Sequence, residues 1–224
     1  MNKIQSLIKI CGIKSQGDLQ LSIECGAGAV GFIVGQYQQG RDFIEIELAR
    51  ELIEATSQQV LSVLVTLETE LLKVKNLIRI AAPCAVQLHG NTSAADIFRL
   101  RDAFPELMIL KAFHLRTEQD LDFGRQFEEA VDGFIVDAID QQTGRTGGTG
   151  CLVDWQLARE VVQNYSVPVI LAGGLSAANV SEAIKTVRPA GVDVNSGVKG
   201  ADGFKDRNKV ESFICNARSA FAEF

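Results

Sequence analysis

Apolar and polar positions along the chain follow two alternating rhythms. Short runs rich in β-branched and aromatic residues recur, each followed by a longer stretch in which apolar residues return at helical spacing. The pattern predicts strands over residues 7–11, 30–34, 61–66, 85–89, 108–113, 133–137, 167–172 and 192–195. Between them it predicts helices over 17–27, 46–57, 70–81, 94–104, 118–128, 155–164, 177–187 and 208–220. Strict alternation without a Pro/Ser-rich linker or low-complexity segment predicts one domain over residues 1–224. Parallel strands require crossovers of about a dozen residues, which the helices supply. Eight such units close most readily into a (β/α)8 barrel, an α/β fold of the TIM-barrel type, with a doubly wound open sheet as the alternative.

The pleat then sorts residues by face. In a barrel strand alternate residues point inward and the rest meet the helices. Ile8 and Ile10 take the outer face, which turns Lys9 and Cys11 inward. Val86 and Leu88 leave Gln87 and His89 inside; Phe134 and Val136 do the same for Asp137, and Val192 and Val194 for Asp193 and Asn195. Lys111 faces inward if Ala112 faces out. Ionisable groups inside a barrel must pair or line a solvated mouth. That mouth, at the C-terminal ends of the strands, is where barrel sites are built.

Composition narrows the function classes. Apolar residues make up 46% of the chain, and 22 Lys plus Arg stand against 28 Asp plus Glu, a formal charge of −6. With no basic run, that balance argues against a nucleic-acid or acidic-membrane partner. No apolar stretch approaches the roughly 20 residues of a bilayer span. The opening MNKIQSLIKICG lacks a signal-peptide core, so the expected compartment is the cytoplasm. The five cysteines, Cys11, Cys25, Cys84, Cys151 and Cys215, are scattered and never spaced CxxC, against a disulfide framework or structural zinc.

Several motifs carry chemistry. Gly26-Ala27-Gly28-Ala29-Val30-Gly31 matches GxGxxG, but it closes a helix and enters a strand, the reverse of a dinucleotide fingerprint. Ala172-Gly173-Gly174-Leu175 and Asn195-Ser196-Gly197-Val198 follow the last two strands. Together they form a phosphate cradle, since glycines let backbone amides converge and these loops hold phosphate in such barrels. Gly147-Gly148-Thr149-Gly150 lies in a long connection that suits a lid or a plain connector, with Arg145 nearby. Cys11 ends the first strand and Asp137 the sixth. A thiol serves as general base only if its pKa is lowered, and Lys9 shares its face. An aspartate held protonated serves as general acid; a buried cysteine is otherwise a small hydrophobe. His89 and His114, the two histidines, have no cluster around them that suggests a metal.

These residues resemble a family. Leu7-Ile8-Lys9-Ile10-Cys11-Gly12-Ile13 resembles the KICG opening of the phosphoribosylanthranilate isomerase family, TIM-barrel enzymes of tryptophan biosynthesis. Ala85-Val86-Gln87-Leu88-His89-Gly90 is similar to its VQLHG strand, and Lys111-Ala112-Phe113 to its fifth strand. Gly133-Phe134-Ile135-Val136-Asp137, the GGTG loop, Asp154-Trp155, Leu171-Ala172-Gly173-Gly174-Leu175, Asn179-Val180, Gly191-Val192-Asp193-Val194, Ser196-Gly197-Val198 and Lys205-Asp206 continue the match in order.

The resemblance implies an aldose–ketose isomerase carrying out an Amadori rearrangement of N-(5-phosphoribosyl)anthranilate without metal or organic cofactor. It implies Cys11 as the base at ribose C2 and Asp137 as the acid at the ring oxygen. Gly173, Gly174, Ser196 and Gly197 would bind the phosphate, Asp193 would lie near the ribose, and Gln87 and His89 would complete the substrate site. The expected partner is a small phosphorylated molecule, and the chain a monomer or homodimer.

Three departures stand out. After strand 2 the family carries a segment like PKSPRYV, whose arginine pairs with the anthranilate carboxylate. This chain reads Gly35-Gln36-Tyr37-Gln38-Gln39-Gly40-Arg41-Asp42-Phe43-Ile44, with Arg41 the nearest candidate and Asp42 a competitor for it. Asn195 and Lys199 stand where the family more often has serine and glutamate, and Leu64-Val65-Thr66-Leu67 lacks its usual aromatic and asparagine. An enzyme acting on another phosphorylated aminosugar, and a non-catalytic phosphosugar-binding barrel, remain as alternatives.

Overall fold

Eight short parallel strands hydrogen-bond in sequence order until the last returns to the first. The computed structural model describes residues 4–35, 42–115, 118–137 and 154–224. The strands are β1 (Leu7–Cys11), β2 (Ala29–Val34), β3 (Leu61–Thr66), β4 (Ala85–Leu88), β5 (Met108–His114), β6 (Gly133–Asp137), β7 (Val169–Leu171) and β8 (Gly191–Val194). β1 pairs with β8, Leu7 against Gly191 through Ile10 against Val194, so the sheet closes and the open alternative is excluded.

The two faces of each strand feed two apolar layers, as a period of two demands. Leu7, Ala29, Val63, Ala85, Leu110, Ile135 and Ile170 fill the barrel, with Ile4 against its lower end. Ile8, Val30, Phe32, Val86, Phe134 and Val192 face outward onto helix residues such as Leu52, Ile78, Val161 and Phe213. Filling the interior this way makes it a packed core rather than a pore.

The helices are α1 (Gln16–Glu24), α2 (Ile46–Glu54), α3 (Leu71–Ala81), α4 (Ala94–Ala103), α5 (Trp155–Asn164), α6 (Val180–Val187) and α7 (Arg207–Phe221). Side chains of Ser15, Ser93, Asp154 and Asp206 cap α1, α4, α5 and α7, each accepting a first-turn N–H. The stretch expected to be the fifth helix is instead a 3₁₀ segment, Glu118–Phe127. Gly124 lies within it, and a Cβ there would stand 2.8 Å from the Tyr165 ring, so the segment is shaped by that packing. No helix among the described residues is long and apolar enough to cross a membrane.

Candidate active site

The first strand delivers two functional groups to the interior. Lys9 is fully buried, and its ammonium meets Asp193 Oδ2 of β8 at 2.8 Å. It stands beside the thiol of Cys11, the last residue of β1. Gly31 is the ladder partner of Cys11 on β2, and a Cβ there would stand 2.8 Å from Sγ and 3.1 Å from Lys9 Nζ. Glycine at this place in a strand is what gives both side chains room. Burial pushes the Cys11 thiol up; Lys9 opposes it, Asp193 reinforces it and Lys205 opposes it, and the thiol ends above its ordinary value, the reverse of the lowering expected of a general base. Burial alone would lower Lys9, but the Asp193 carboxylate and the thiol outweigh it and leave the ammonium more stable than usual.

Asp137 ends β6 on the inner face and is buried. Its Oδ2 lies 4.0 Å from His89 Nε2, just past the end of β4. The Gln87 amide nitrogen stands 3.3 Å from His89 Nδ1. Gln87 Oε1 is buried and meets no donor.

Two loops follow β7 and β8. Gly173 and Gly174 both have positive φ, 84° and 66°, a conformation costly for other residues. Asn179 at the start of α6 braces this turn: its Oδ1 accepts the Ser176 N–H at 2.8 Å and its Nδ2 donates to the Gly174 carbonyl at 3.0 Å. After β8, Ser196–Val198 form one 3₁₀ turn, with Ser196 exposed. A Cβ on Gly197 would stand 2.0 Å from the Leu175 carbonyl oxygen, so the two loops touch backbone to backbone. Glycine turns of this kind, the first leading into a helix N-terminus, leave backbone amides open to an anion.

A third cluster spans the mouth between β1, β2 and β8. Asp42 Oδ2 accepts from Asn195 Nδ2 at 2.9 Å and from the Lys199 ammonium. Asn195 Oδ1 accepts from Lys205 at 3.0 Å, and Lys205 also donates to the carbonyls of Cys11 and Asn195. Two of the sequence departures, the segment after β2 and strand 8, therefore meet in space through Asp42, Asn195 and Lys199.

Cys11, Gln87, His89, Asp137 and Asp193 all stand on the inner face or at its upper rim, as the alternation predicts. Arg41, Arg145, Cys151 and the Gly147–Gly150 loop lie outside the described residues. Lys111 is a correction. Ile109 and Phe113 face the outer layer, and Lys111 shares their side of β5, with its ammonium 5.7 Å from the Phe127 ring. It donates to the carbonyls of Leu88, Gly90 and Ala112 at 3.3, 2.9 and 3.0 Å. Sequence reasoning assigned no role to Gly31, Asn179 or Lys205. A glycine inside a strand was a usable signal for the first; Asn179 and Lys205 stand out only as parts of the family resemblance, with no role attached.

The family model described as N-(5'phosphoribosyl)anthranilate (PRA) isomerase matches residues 8–216. The N-(5'-phosphoribosyl)anthranilate isomerase 2 of Methanosarcina mazei is 39% identical over 96% of this chain and 95% of its own length. Among solved structures, a phosphoribosyl anthranilate isomerase in complex with reduced 1-(o-carboxyphenylamino)-1-deoxyribulose 5-phosphate superposes with a TM-score of 0.80. It is 29% identical over 96% of this chain and 100% of that one. Monomers generated from the dimeric phosphoribosylanthranilate isomerase of Thermotoga maritima give 0.81, at 29% identity and the same coverage.

Proposed function

The chain belongs to the N-(5'-phosphoribosyl)anthranilate isomerase family and carries that family's isomerase activity; we propose that Cys11 and Asp137 divide its two proton transfers. The substrate, N-(5'-phosphoribosyl)anthranilate, is a cyclic aminoaldose. Asp137, protonated, gives its proton to the furanose ring oxygen as the C1–O bond breaks and the anthranilate nitrogen lends its lone pair to C1. The Cys11 thiolate then removes the proton from C2, and those electrons neutralise the iminium to leave an enolamine. Its tautomerisation yields the aminoketose, so atoms balance and no redox partner is needed. Two positioned proton-transfer groups suffice for such a reaction.

One topological observation carries this reading. Along the closed sheet β6, β7, β8 and β1 are consecutive. In that order their C-terminal ends present Asp137, Gly173 with Gly174, Ser196 with Gly197, and Cys11. Acid, phosphate loops and base thus form one arc of the rim, with the anionic end of the substrate between the two groups that act on its ring. Asp193 serves chiefly as the counter-ion of Lys9, Gln87 and His89 line the side of Asp137, and Arg41 is the proposed partner of the anthranilate carboxylate. One chain furnishes the whole scheme, which suits a monomer or a homodimer equally.

Turnover of N-(5'-phosphoribosyl)anthranilate by Cys11→Ala and Asp137→Asn tests the division. Each variant is expected to keep its fold and lose about 10²–10⁴-fold in kcat. Wild-type turnover in either overturns the role of that residue.

A further inference from the structure

Lys205, in the segment between β8 and α7, is 7% exposed. Its ammonium is surrounded by three neutral oxygens: the Cys11 carbonyl, the Asn195 carbonyl and Asn195 Oδ1. The Asn195 amide has only one orientation that works. Its nitrogen donates to the Asp42 carboxylate, which can only accept, and its oxygen faces an ammonium, which can only donate. Gly12, with φ of 71°, makes room for that amide, because a Cβ there would stand 2.5 Å from Asn195 Oδ1.

Each charged group around Lys205 is engaged elsewhere. Asp18 on α1 accepts the backbone N–H of Lys205 at 2.8 Å and that of Lys14 at 3.3 Å. Asp42 binds Lys199 and Asn195, and Asp193 binds Lys9. Among the described residues no carboxylate lies within ion-pair distance of the Lys205 ammonium. Two cations therefore act on the Cys11 thiol, and they differ. Lys9 acts more strongly on the thiol, and Asp193, its direct counter-ion, offsets part of that. Lys205 has no carboxylate in direct contact, and Asp42 and Asp18 act on it only at longer range.

We propose that Lys205 is a positioning residue for the general base, tying the end of β1 to the β8 loop and adding a second positive charge, beside that of Lys9, that stabilises the Cys11 thiolate. The inference deepens the reading of Cys11 as base and adds Lys205 to the help that strand alternation assigns to Lys9. Burial drives the two groups in opposite directions, the thiol upward and the Lys205 ammonium down to about 8, and each offsets part of the other's shift.

The test reads the thiol itself. The pH dependence of Cys11 alkylation by iodoacetamide, followed by mass spectrometry of the Cys11 peptide, reports its ionisation apart from the other cysteines. Lys205→Gln keeps a donor for the carbonyls without the charge, Lys205→Met removes both, and Lys205→Arg keeps the charge. The Gln and Met variants are expected to raise the alkylation midpoint by about one unit, and to lower kcat about tenfold or more with KM within about threefold. Lys205→Arg is expected to stay within roughly half a unit of wild type. A midpoint that moves by less than about half a unit in whichever uncharged variant folds overturns the proposal, even if activity falls. Failure of the underlying reading looks different: Cys11→Ala would then turn over normally while the midpoint still shifted.

Discussion

Lys9 and Asp193 are ladder partners across the seam where the first and last strands close the barrel, and inside it their charged ends meet at 2.8 Å. Both are nearly inaccessible to water, Lys9 wholly so. A buried pair of this kind adds little over well-packed apolar residues, but removing one partner strands the other's charge. A slip of one residue between β1 and β8 would turn one partner onto the helix-facing layer, so the pair also specifies the register of closure.

Asp193→Asn and Lys9→Met are each expected to cost about 3–5 kcal/mol of stability. The double variant Lys9→Met/Asp193→Leu should recover more than half of that, because no orphaned charge remains. Urea unfolding of the three variants measures this directly. Single variants costing under about 1 kcal/mol would mean the pair is solvated and the seam is held by backbone bonds alone.

The side chains of Cys11 and Lys9 occupy the space a methyl group on Gly31 would take. Gly31 does not use a positive φ, so alanine there strains the site without straining the backbone. Gly31→Ala is expected to displace the thiol and lower kcat about 10–100-fold while KM changes by less than about threefold. Steady-state kinetics separates the two constants; an unchanged kcat would show that the thiol position is not critical.

The inner and outer faces of β1, β4, β6 and β8 were legible because in each a polar residue or cysteine near the C-terminal end falls out of phase with flanking large apolar ones, as Asp137 does after Val136. β5 was not: in Met108-Ile109-Leu110-Lys111-Ala112-Phe113 both faces are apolar apart from one lysine, so alternation leaves the phase open. The structure settles it by burying Ile109 and Phe113 in the outer layer, and Lys111 goes with them. The 3₁₀ segment was misread as a helix because its apolar residues recur at helical spacing, whereas Gly124 yields to the packing of Tyr165. Lys205 is illegible for a different reason. Its surroundings come from Cys11 and Asn195, and Asn195 in turn is held by Asp42, which lies 153 positions away in the chain. No local pattern encodes a convergence of that range.

The loops after β7 and β8 meet through Gly197, which has no space for a side chain beside the Leu175 carbonyl. Gly197→Ala must push them apart and disperse the amides proposed to grip the phosphate. KM for the phosphorylated substrate and the inhibition constant of inorganic phosphate are both expected to rise about tenfold or more, with a smaller change in kcat. A variant that keeps its affinity for inorganic phosphate would move the phosphate site elsewhere.

Lys111 makes stability depend on pH above neutrality. Its ammonium is buried against three carbonyls, and burial lowers it to about 8. In the unfolded chain it titrates near 10.4. Below about pH 8 both states hold the proton and the native state bears the cost of burying it. Between about 8 and 10.4 the unfolded chain holds more protons, so stability rises with pH. Lys205, also lowered to about 8, acts with the same sign. Cys11 and Cys25, both displaced upward, oppose them as pH enters the ordinary thiol range, about 8.5. From roughly pH 8 to 9 each lysine contributes about 1 kcal/mol before that opposition, so the rise in unfolding free energy is expected to be about 1 kcal/mol smaller in Lys111→Met than in the wild type. Urea titrations at several pH values measure both slopes. A slope unaltered by the substitution would mean that Lys111 keeps its proton throughout that window, with water reaching the ammonium that the carbonyls of β4 and β5 enclose.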